Sequence, residues 1–205
     1  DNGQMDCDEI LKGNNAVRLR QMIESHGLSI SALSNHADSL LIMGPHTEDT
    51  DGIFKGTPEE KIRYGTESLL KTAQEVPVVN GFTGVTNWGR YFPFPSANGW
   101  SDMEKLFVER FMPIMDKFKE YGVKFAMEPH PNNIIYDLNT AKRALELLDY
   151  HPNFGFNLDP ANIMATGGLL VENFIDELGD RIFHVHAKDA EVVRHNIQRG
   201  GILMQ

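Results

Sequence analysis

The sequence predicts an α/β fold with parallel strands, because helical and strand patterns alternate along its 205 residues. Strand patterns begin near Ser29, Val76, Val123, Phe154 and Ile182, and a helical pattern lies in every gap. Four of these five strands end in polar side chains suited to chemistry. Sites gathered from the C-terminal ends of many strands are typical of (β/α)8 barrels, whereas doubly wound sheets concentrate theirs at one switch point. No Gly-x-Gly-x-x-Gly sequence follows a strand, which disfavours a dinucleotide-binding sheet.

Local sequence features place a helix between successive strands. Apolar residues at helical intervals predict a first helix that ends at Gly27. Thr57 and Pro58 are the N-cap and the first residue of a second helix, and Asn139 and Thr140 cap the fourth. The predicted helices span residues 8–26, 57–75, 101–121, 141–150 and 171–180, and the predicted strands span residues 28–36, 76–84, 123–130, 154–160 and 181–189. The acidic, glycine-containing segment 44–56 is expected to be a mobile loop.

Composition limits the class of protein. The chain carries 19 basic and 29 acidic residues, a formal charge of −10 and 41% hydrophobic residues, which excludes a disordered chain and disfavours a nucleic-acid module held by phosphate contacts. No apolar run approaches the roughly 20 residues that cross a bilayer, and the first residues lack the features of a signal peptide. Cys7 is the one cysteine, so no disulfide forms within the chain. We therefore expect a cytoplasmic protein without membrane or nucleic-acid partners.

The number of predicted strands is too small for a closed barrel. A (β/α)8 barrel takes about 250 residues and eight strands, whereas this sequence shows five strand patterns. We expect one domain over residues 1–205 that forms part of a longer barrel, with an open sheet as the alternative. The prediction is a curved, open, five-stranded parallel sheet whose edges are covered by another chain or by further segments, because exposed strand edges promote aggregation.

Alternation within the last three strands predicts a metal site. Side chains two residues apart share one face of a strand, and this face collects Glu128, His130, Asn157, Asp159, His184, His186 and Lys188. Glu128, Asp159 and His186 offer two carboxylates and one imidazole, which suit Mn²⁺ or Mg²⁺, with Co²⁺ or Zn²⁺ as alternatives. In the competing interpretation, Asp159 caps the segment that follows it and the histidines are core residues.

Four segments of the sequence resemble a known family. ISALSNH (30–36), VKFAMEPHP (123–131), GFNLDPAN (155–162) and IFHVHAKD (182–189) are similar to the sugar phosphate isomerase/epimerase family. These xylose isomerase-like TIM barrels include tagatose 3-epimerase, inosose dehydratase and endonuclease IV. The resemblance implies that Glu128, Asp159 and His186 are metal ligands. The family's fourth ligand, a glutamate on its last strand, and its first two strands have no counterpart in this sequence.

The resemblance also implies a reaction. In such a site a divalent ion bound by a substrate carbonyl and hydroxyl acidifies the neighbouring C–H through an enediolate, and a carboxylate moves the proton. Glu128 is the candidate acid/base as well as a ligand. His130 and Lys188 are candidate catalytic residues that bind hydroxyls or the developing oxyanion, with a structural or solvated role as the alternative.

Four further residues are candidate substrate contacts. His36 and Asn162 lie where the family often places polar groups that face the substrate. Trp88 belongs to the aromatic, proline-rich segment 84–100, whose rings stack on a sugar or pack over the barrel top or at a subunit contact. His184 lies one layer deeper and either supports the site or belongs to the core.

The sequence is compatible with several functions. The first is a metal-dependent sugar isomerase or epimerase, and the second is a keto-sugar or inosose dehydratase or eliminase. An endonuclease IV-like phosphodiesterase is disfavoured by the charge of −10 and by the shortage of ligands for a trinuclear zinc cluster. A non-catalytic partner subunit with an incomplete metal site is the fourth. The expected partners are a small sugar or keto-sugar and a second copy in a homo-oligomer.

Overall fold

Five parallel strands form one sheet in the computed structural model of the chain, which describes residues 6–74, 76–87, 99–165 and 170–201. The strands are β1 (Leu33–Asn35), β2 (Val78–Gly81), β3 (Lys124–Met127), β4 (Phe154–Leu158) and β5 (Ile182–Val185), and they lie side by side in this order. Each pairs in parallel with the next. The predicted parallel α/β sheet is therefore confirmed.

Helices lie before β1, between successive strands and after β5. They are α1 (Cys7–Ile10), α2 (Asn15–Ser25), α3 (His36–Leu40), α4 (Pro58–Thr72), α5 (Gly99–Tyr121), α6 (Leu138–Leu147), α7 (Pro160–Ala165), α8 (Val171–Leu178) and α9 (Arg194–Gly200). Short 3₁₀ turns occupy Glu48–Thr50 and Gly179–Arg181. None of the helices in the described part of the chain has both the length and the apolar character needed to cross a bilayer.

The sheet is strongly curved. His184 Nδ1 on β5 lies 3.2 Å from Asn80 Nδ2 on β2, and His184 Nε2 lies 3.5 Å from Ser31 Oγ, just before β1. In a flat sheet three strand spacings would separate β2 from β5 by about 14 Å. The strands therefore curl toward a common interior, although β1 and β5 do not pair with each other in the described residues. The prediction of an open, curved half-barrel is confirmed.

Aromatic side chains fill the space between the sheet and α5. Phe125 of β3 packs against Phe111 and Phe118 of α5 at ring-centroid distances of 6.0 and 5.7 Å. Phe154 of β4 lies 6.1 Å from Phe107 of the same helix. These phenylalanines face the helix layer, as the alternation predicted. Consequently, the alternate residues of β3 and β4 face the interior of the curved sheet.

The N-terminal region differs from its prediction. The single helix predicted over residues 8–26 is wrong, because the structure has α1 and α2 with a break at Gly13, whose φ of +57° lies in the left-handed region. The strand predicted over residues 28–36 is reduced to the three residues of β1, and His36 begins α3 instead of ending the strand. Ser39 explains the turn into α3, because its hydroxyl bonds both Asn35 O and Phe82 N.

One predicted helix start is confirmed and two others need correction. Thr57 is the N-cap of α4 and Pro58 its first residue, and Glu60 completes a capping box. Helix α6 begins earlier than predicted, because Asp137 is the N-cap and Thr140 the third residue of the helix. The predicted start at residue 141 lies three residues after the observed start at Leu138. The helix predicted to open at Ser101 also begins earlier, at the start of α5.

A buried lysine orders the segment 44–56, which was expected to be a mobile loop. The Lys61 side chain is 1% exposed, and its ammonium donates to Thr47 O at 2.6 Å, Thr50 Oγ1 at 3.0 Å and Asp51 Oδ1 at 2.6 Å. All three acceptors lie in or next to the 3₁₀ turn of this segment. The ammonium therefore ties the segment to α4.

Replacing Lys61 with Met is expected to destabilise the fold by about 2–3 kcal/mol, because it leaves buried acceptors without their donor. The free energy of unfolding from urea denaturation measures this effect. Lys71→Met is the matched control: Lys71 pairs with the exposed Asp8 at 2.7 Å, so little change is expected. Equal effects of the two substitutions would show that the Lys61 contacts do not hold the segment.

The outer edge of β1 borders a cavity of about 450 Å³. Residues 32–35 all line the cavity, without the alternation expected of one strand face. The cavity therefore lies along the edge of β1. Asn35 Oδ1 and Asp38 Oδ1 are buried beside it without a hydrogen-bond partner in the described residues. The cavity thus lies along an edge of the half-barrel that no strand covers in the described residues. Coverage of this edge by another strand stays a prediction.

Candidate metal centre and active site

Glu128, Asp159 and His186 converge where β3, β4 and β5 end. Each offers a ligand atom, and these atoms lie within 4.8 Å of one another. Pairing of the strands continues into the site, since Glu128 N donates to Gly81 O at 3.1 Å and His186 N to Leu158 O at 2.9 Å. The sheet itself therefore holds the three side chains together.

The Glu128 carboxylate is surrounded by hydrogen-bond donors. The residue is 4% exposed. Oε2 accepts from His36 Nε2 at 2.9 Å and from Asn157 Nδ2 at 3.0 Å, and His186 Nδ1 lies 3.1 Å from the same oxygen. Oε1 accepts from Asn162 Nδ2. These bonds fix the orientation of the carboxylate in the curved interior.

The two oxygens of Asp159 have different partners. Oδ1 accepts from Asn162 N at 3.0 Å and so caps α7. Oδ2 lies 3.2 Å from Lys188 Nζ and 3.5 Å from His186 Nδ1. The residue is 1% exposed. The capping interpretation and the ligand interpretation are thus compatible, because each uses its own oxygen.

The remaining predicted residues lie around this cluster at different depths. His36 contacts Glu128 directly. His130 is half-buried at the mouth of the site, just beyond the end of β3, and its Nδ1 lies 2.7 Å from Pro131 O. His184 lies deeper, 3.2 Å from Asn157 Oδ1. Burial lowers the pKa of His184, and the neighbouring His186 adds to the effect.

The aromatic segment contributes less to the described site. Trp88 lies outside the residues that the structure describes. Trp100, from the end of the same segment, is the second residue of α5 and packs edge-on against Tyr136 at a centroid distance of 6.2 Å. Trp100 therefore packs against a neighbouring aromatic side chain at the start of α5.

Comparison with known proteins identifies the family. Residues 6–203 match the family model of the xylose isomerase-like TIM barrel. The chain belongs to this family. The expected family is therefore confirmed, and the half-barrel is a partial xylose isomerase-like barrel.

Individual relatives share the fold at low identity. The uncharacterised protein YfiH of Bacillus subtilis (strain 168) is 24% identical over 208 residues, covering 97% of this chain and 64% of YfiH. Two solved structures cover 93% and 91% of this chain: the probable 3-DHS dehydratase AsbF involved in petrobactin synthesis from Bacillus anthracis (19% identity, TM-score 0.64, 62% of that chain) and the 3-keto-D-glucoside 4-epimerase YcjR from E. coli (16% identity, TM-score 0.65, 72% of that chain). The chain spans less than two thirds of the length of YfiH and AsbF.

A third similar structure contains a metal. The IolI protein with a bound zinc atom is 20% identical, with a TM-score of 0.57 over 87% of this chain and 58% of IolI. The ligand atoms that Glu128, Asp159 and His186 offer in this chain suit a divalent metal ion. Glu128 and Asp159 are two buried carboxylates, and Lys188 offsets one of their charges. Since uncompensated buried charge is costly, the cluster fits a divalent cation.

Two residues of this xylose isomerase-like site were not assigned by sequence reasoning. Asn157 is fully buried and bonds Glu128, although it was recognised only as an inward-facing residue of β4. Phe82 follows β2, and its ring lies 4.5 Å from that of His36 and 5.0 Å from that of His130. Phe82 thus forms an aromatic wall beside the cluster. The strand predicted over residues 76–84 contains Phe82, so the sequence did not place this residue at a strand end.

Proposed function

We propose that this xylose isomerase-like barrel is a metal-dependent sugar isomerase or epimerase that abstracts a proton next to a carbonyl. The convergence of the buried Glu128 with Asp159 and His186 carries the proposal. Proton transfer beside a carbonyl needs a positioned base and a stabilised oxyanion. A small sugar or keto-sugar also suits the chain's formal charge of −10 better than a phosphate backbone does.

Glu128, Asp159 and His186 would hold the ion, with Mn²⁺ or Mg²⁺ favoured by the two carboxylates. When bound, the ion supplies Lewis acidity that makes the C–H beside the substrate carbonyl easier to deprotonate. Glu128 takes the proton on its carboxylate and delivers it to the neighbouring carbon, which isomerises the sugar; epimerisation instead needs a second acid that protonates the first carbon from its opposite face. The hydrogen bonds from His36 and Asn157 keep that carboxylate aimed at the interior.

Lys188 and the aromatic wall bind the substrate in this proposal. Lys188 Nζ bonds Asp159 at 3.2 Å and Asn162 Oδ1 at 2.9 Å, so its third N–H can donate to a substrate oxygen. The side chain is half-exposed and reaches the cluster from the solvent side. Phe82 and His130 present ring surfaces at the mouth, where the apolar face of a sugar ring can pack.

Deuterium exchange tests this function. Ketopentoses and ketohexoses, free and phosphorylated, are incubated with the protein in D₂O and Mn²⁺. Deuterium should enter the carbon next to the carbonyl of at least one sugar, and removal of divalent ions with EDTA should stop the exchange. Loss of water from the substrate after exchange would indicate a dehydratase, because the same carbanion expels a neighbouring hydroxide. No exchange with any sugar, together with cleavage of a duplex containing an abasic site, would overturn the proposal in favour of a phosphodiesterase.

A further inference from the structure

We infer that Asn162 is a positioning residue that turns the carboxylates of Glu128 and Asp159 toward one shared ion. The inference rests on the proposed function, because it concerns the same metal centre. It changes the role predicted for Asn162, which the sequence suggested as a substrate contact. The side chain is 8% exposed, and both ends of its amide already bond protein groups.

Local sequence brings Asn162 back over Asp159. The two residues are three apart, with Pro160 beginning α7 between them. This spacing places the backbone N–H of Asn162 against Asp159 Oδ1 at 3.0 Å, as in a helix cap. The side chain of Asn162 then extends toward β3, where its Nδ2 donates to Glu128 Oε1.

Asn162 thus engages one oxygen of each carboxylate. The two oxygens that it does not bond, Glu128 Oε2 and Asp159 Oδ2, both face His186, whose Nδ1 lies 3.1 and 3.5 Å from them. Glu128 Oε2, Asp159 Oδ2 and His186 Nδ1 therefore face one common position. A carboxylate free to rotate would not keep this arrangement, which is why partners of metal ligands matter for affinity.

Lys188 fixes which way the Asn162 amide faces. Its ammonium donates to Asn162 Oδ1 at 2.9 Å. If the amide were turned over, its NH₂ group would face the ammonium and its oxygen would face the Glu128 carboxylate, and both contacts would be repulsive. The orientation that supports Glu128 is therefore the stable one.

Mn²⁺ affinity, measured without substrate, tests the inference. Asn162→Ala and the near-isosteric Asn162→Leu should weaken Mn²⁺ binding by about 10–100-fold. The absorption spectrum of bound Co²⁺ should also change, because its ligands are differently oriented. Asn153→Ala is the matched control: Asn153 Nδ2 donates to Val123 O at 2.7 Å, at the opposite end of β3, and its loss should leave Mn²⁺ affinity unchanged. Circular dichroism of each variant checks the fold.

The outcomes separate this inference from the proposed function. If the wild-type chain binds Mn²⁺ and both folded variants bind it equally well, the positioning role is wrong. A raised KM for sugar with unchanged Mn²⁺ affinity would restore Asn162 as a substrate contact and leave the function standing. Absence of Mn²⁺ binding to the wild type would remove the proposed function itself, and the inference with it. Should the alanine variant not fold, the leucine variant, which fills the same space, decides the question.

Discussion

Glu128→Gln is expected to slow proton exchange into the substrate by about 10²–10⁴-fold, the usual contribution of a positioned acid or base. The amide can neither accept the substrate proton nor serve as an anionic ligand. It also turns an NH₂ group toward the donors that surround the Glu128 carboxylate, namely His36, Asn157 and Asn162. Deuterium entry in D₂O, followed by NMR over a range of Mn²⁺ concentrations, gives the rate.

The Mn²⁺ series separates the two roles of Glu128. If the glutamine variant exchanges slowly even when saturated with Mn²⁺, the residue acts as a base and not only as a ligand. Glu104→Gln is the matched control, because Glu104 pairs with Arg143 at 2.9 Å, outside the cluster, and should not affect exchange. Wild-type exchange rates in the Glu128 variant would show that another group moves the proton.

Asp159→Asn is expected to abolish tight divalent binding while the fold keeps its stability. Asparagine caps helices about as well as aspartate does, so the cap on α7 survives. The neutral amide is a far poorer metal ligand, and we expect Mn²⁺ affinity to fall by at least about 100-fold. Isothermal titration with Mn²⁺ and urea denaturation measure the two properties separately.

Asp137→Asn provides the matched control for this prediction. Asp137 caps α6 by accepting from Thr140 N at 2.7 Å, and it plays no part in the cluster. Its substitution should change neither Mn²⁺ affinity nor stability by much. If Asp159→Asn lowers stability but leaves Mn²⁺ affinity as in the wild type, Asp159 is a cap alone.

The sequence predicts the central strands well because their two faces differ in chemistry. In β3 and β4, large apolar residues alternate with small or polar residues, so both the strand and its inward side follow from the pattern. At β1 the same reasoning fails. β1 lies at the edge of the sheet and pairs with β2 in the described residues. The apolar pattern over residues 28–36 extends beyond the three residues that pair, and it therefore predicts too long a strand. The break at Gly13 reflects a backbone conformation that periodicity does not encode.

The candidate site is predictable in part for a similar reason. The positions of Glu128, Asp159 and His186 follow from strand ends in a parallel sheet. The contacts of Asn157 and Asn162 do not, because an asparagine can donate or accept in many directions and only the folded neighbours select one. Phe82 likewise takes its role from His36 and His130, which lie far from it in the sequence.

Titration of the wild-type chain with Mn²⁺, followed by the electron paramagnetic resonance of the free ion, tests the central claim most directly. The cluster of Glu128, Asp159 and His186 predicts one tightly bound Mn²⁺ per chain. The double variant Glu128→Gln, Asp159→Asn should bind none at the same concentration. Failure of the wild type to bind Mn²⁺, or undiminished binding by the double variant, would contradict the assignment of this cluster as the metal centre.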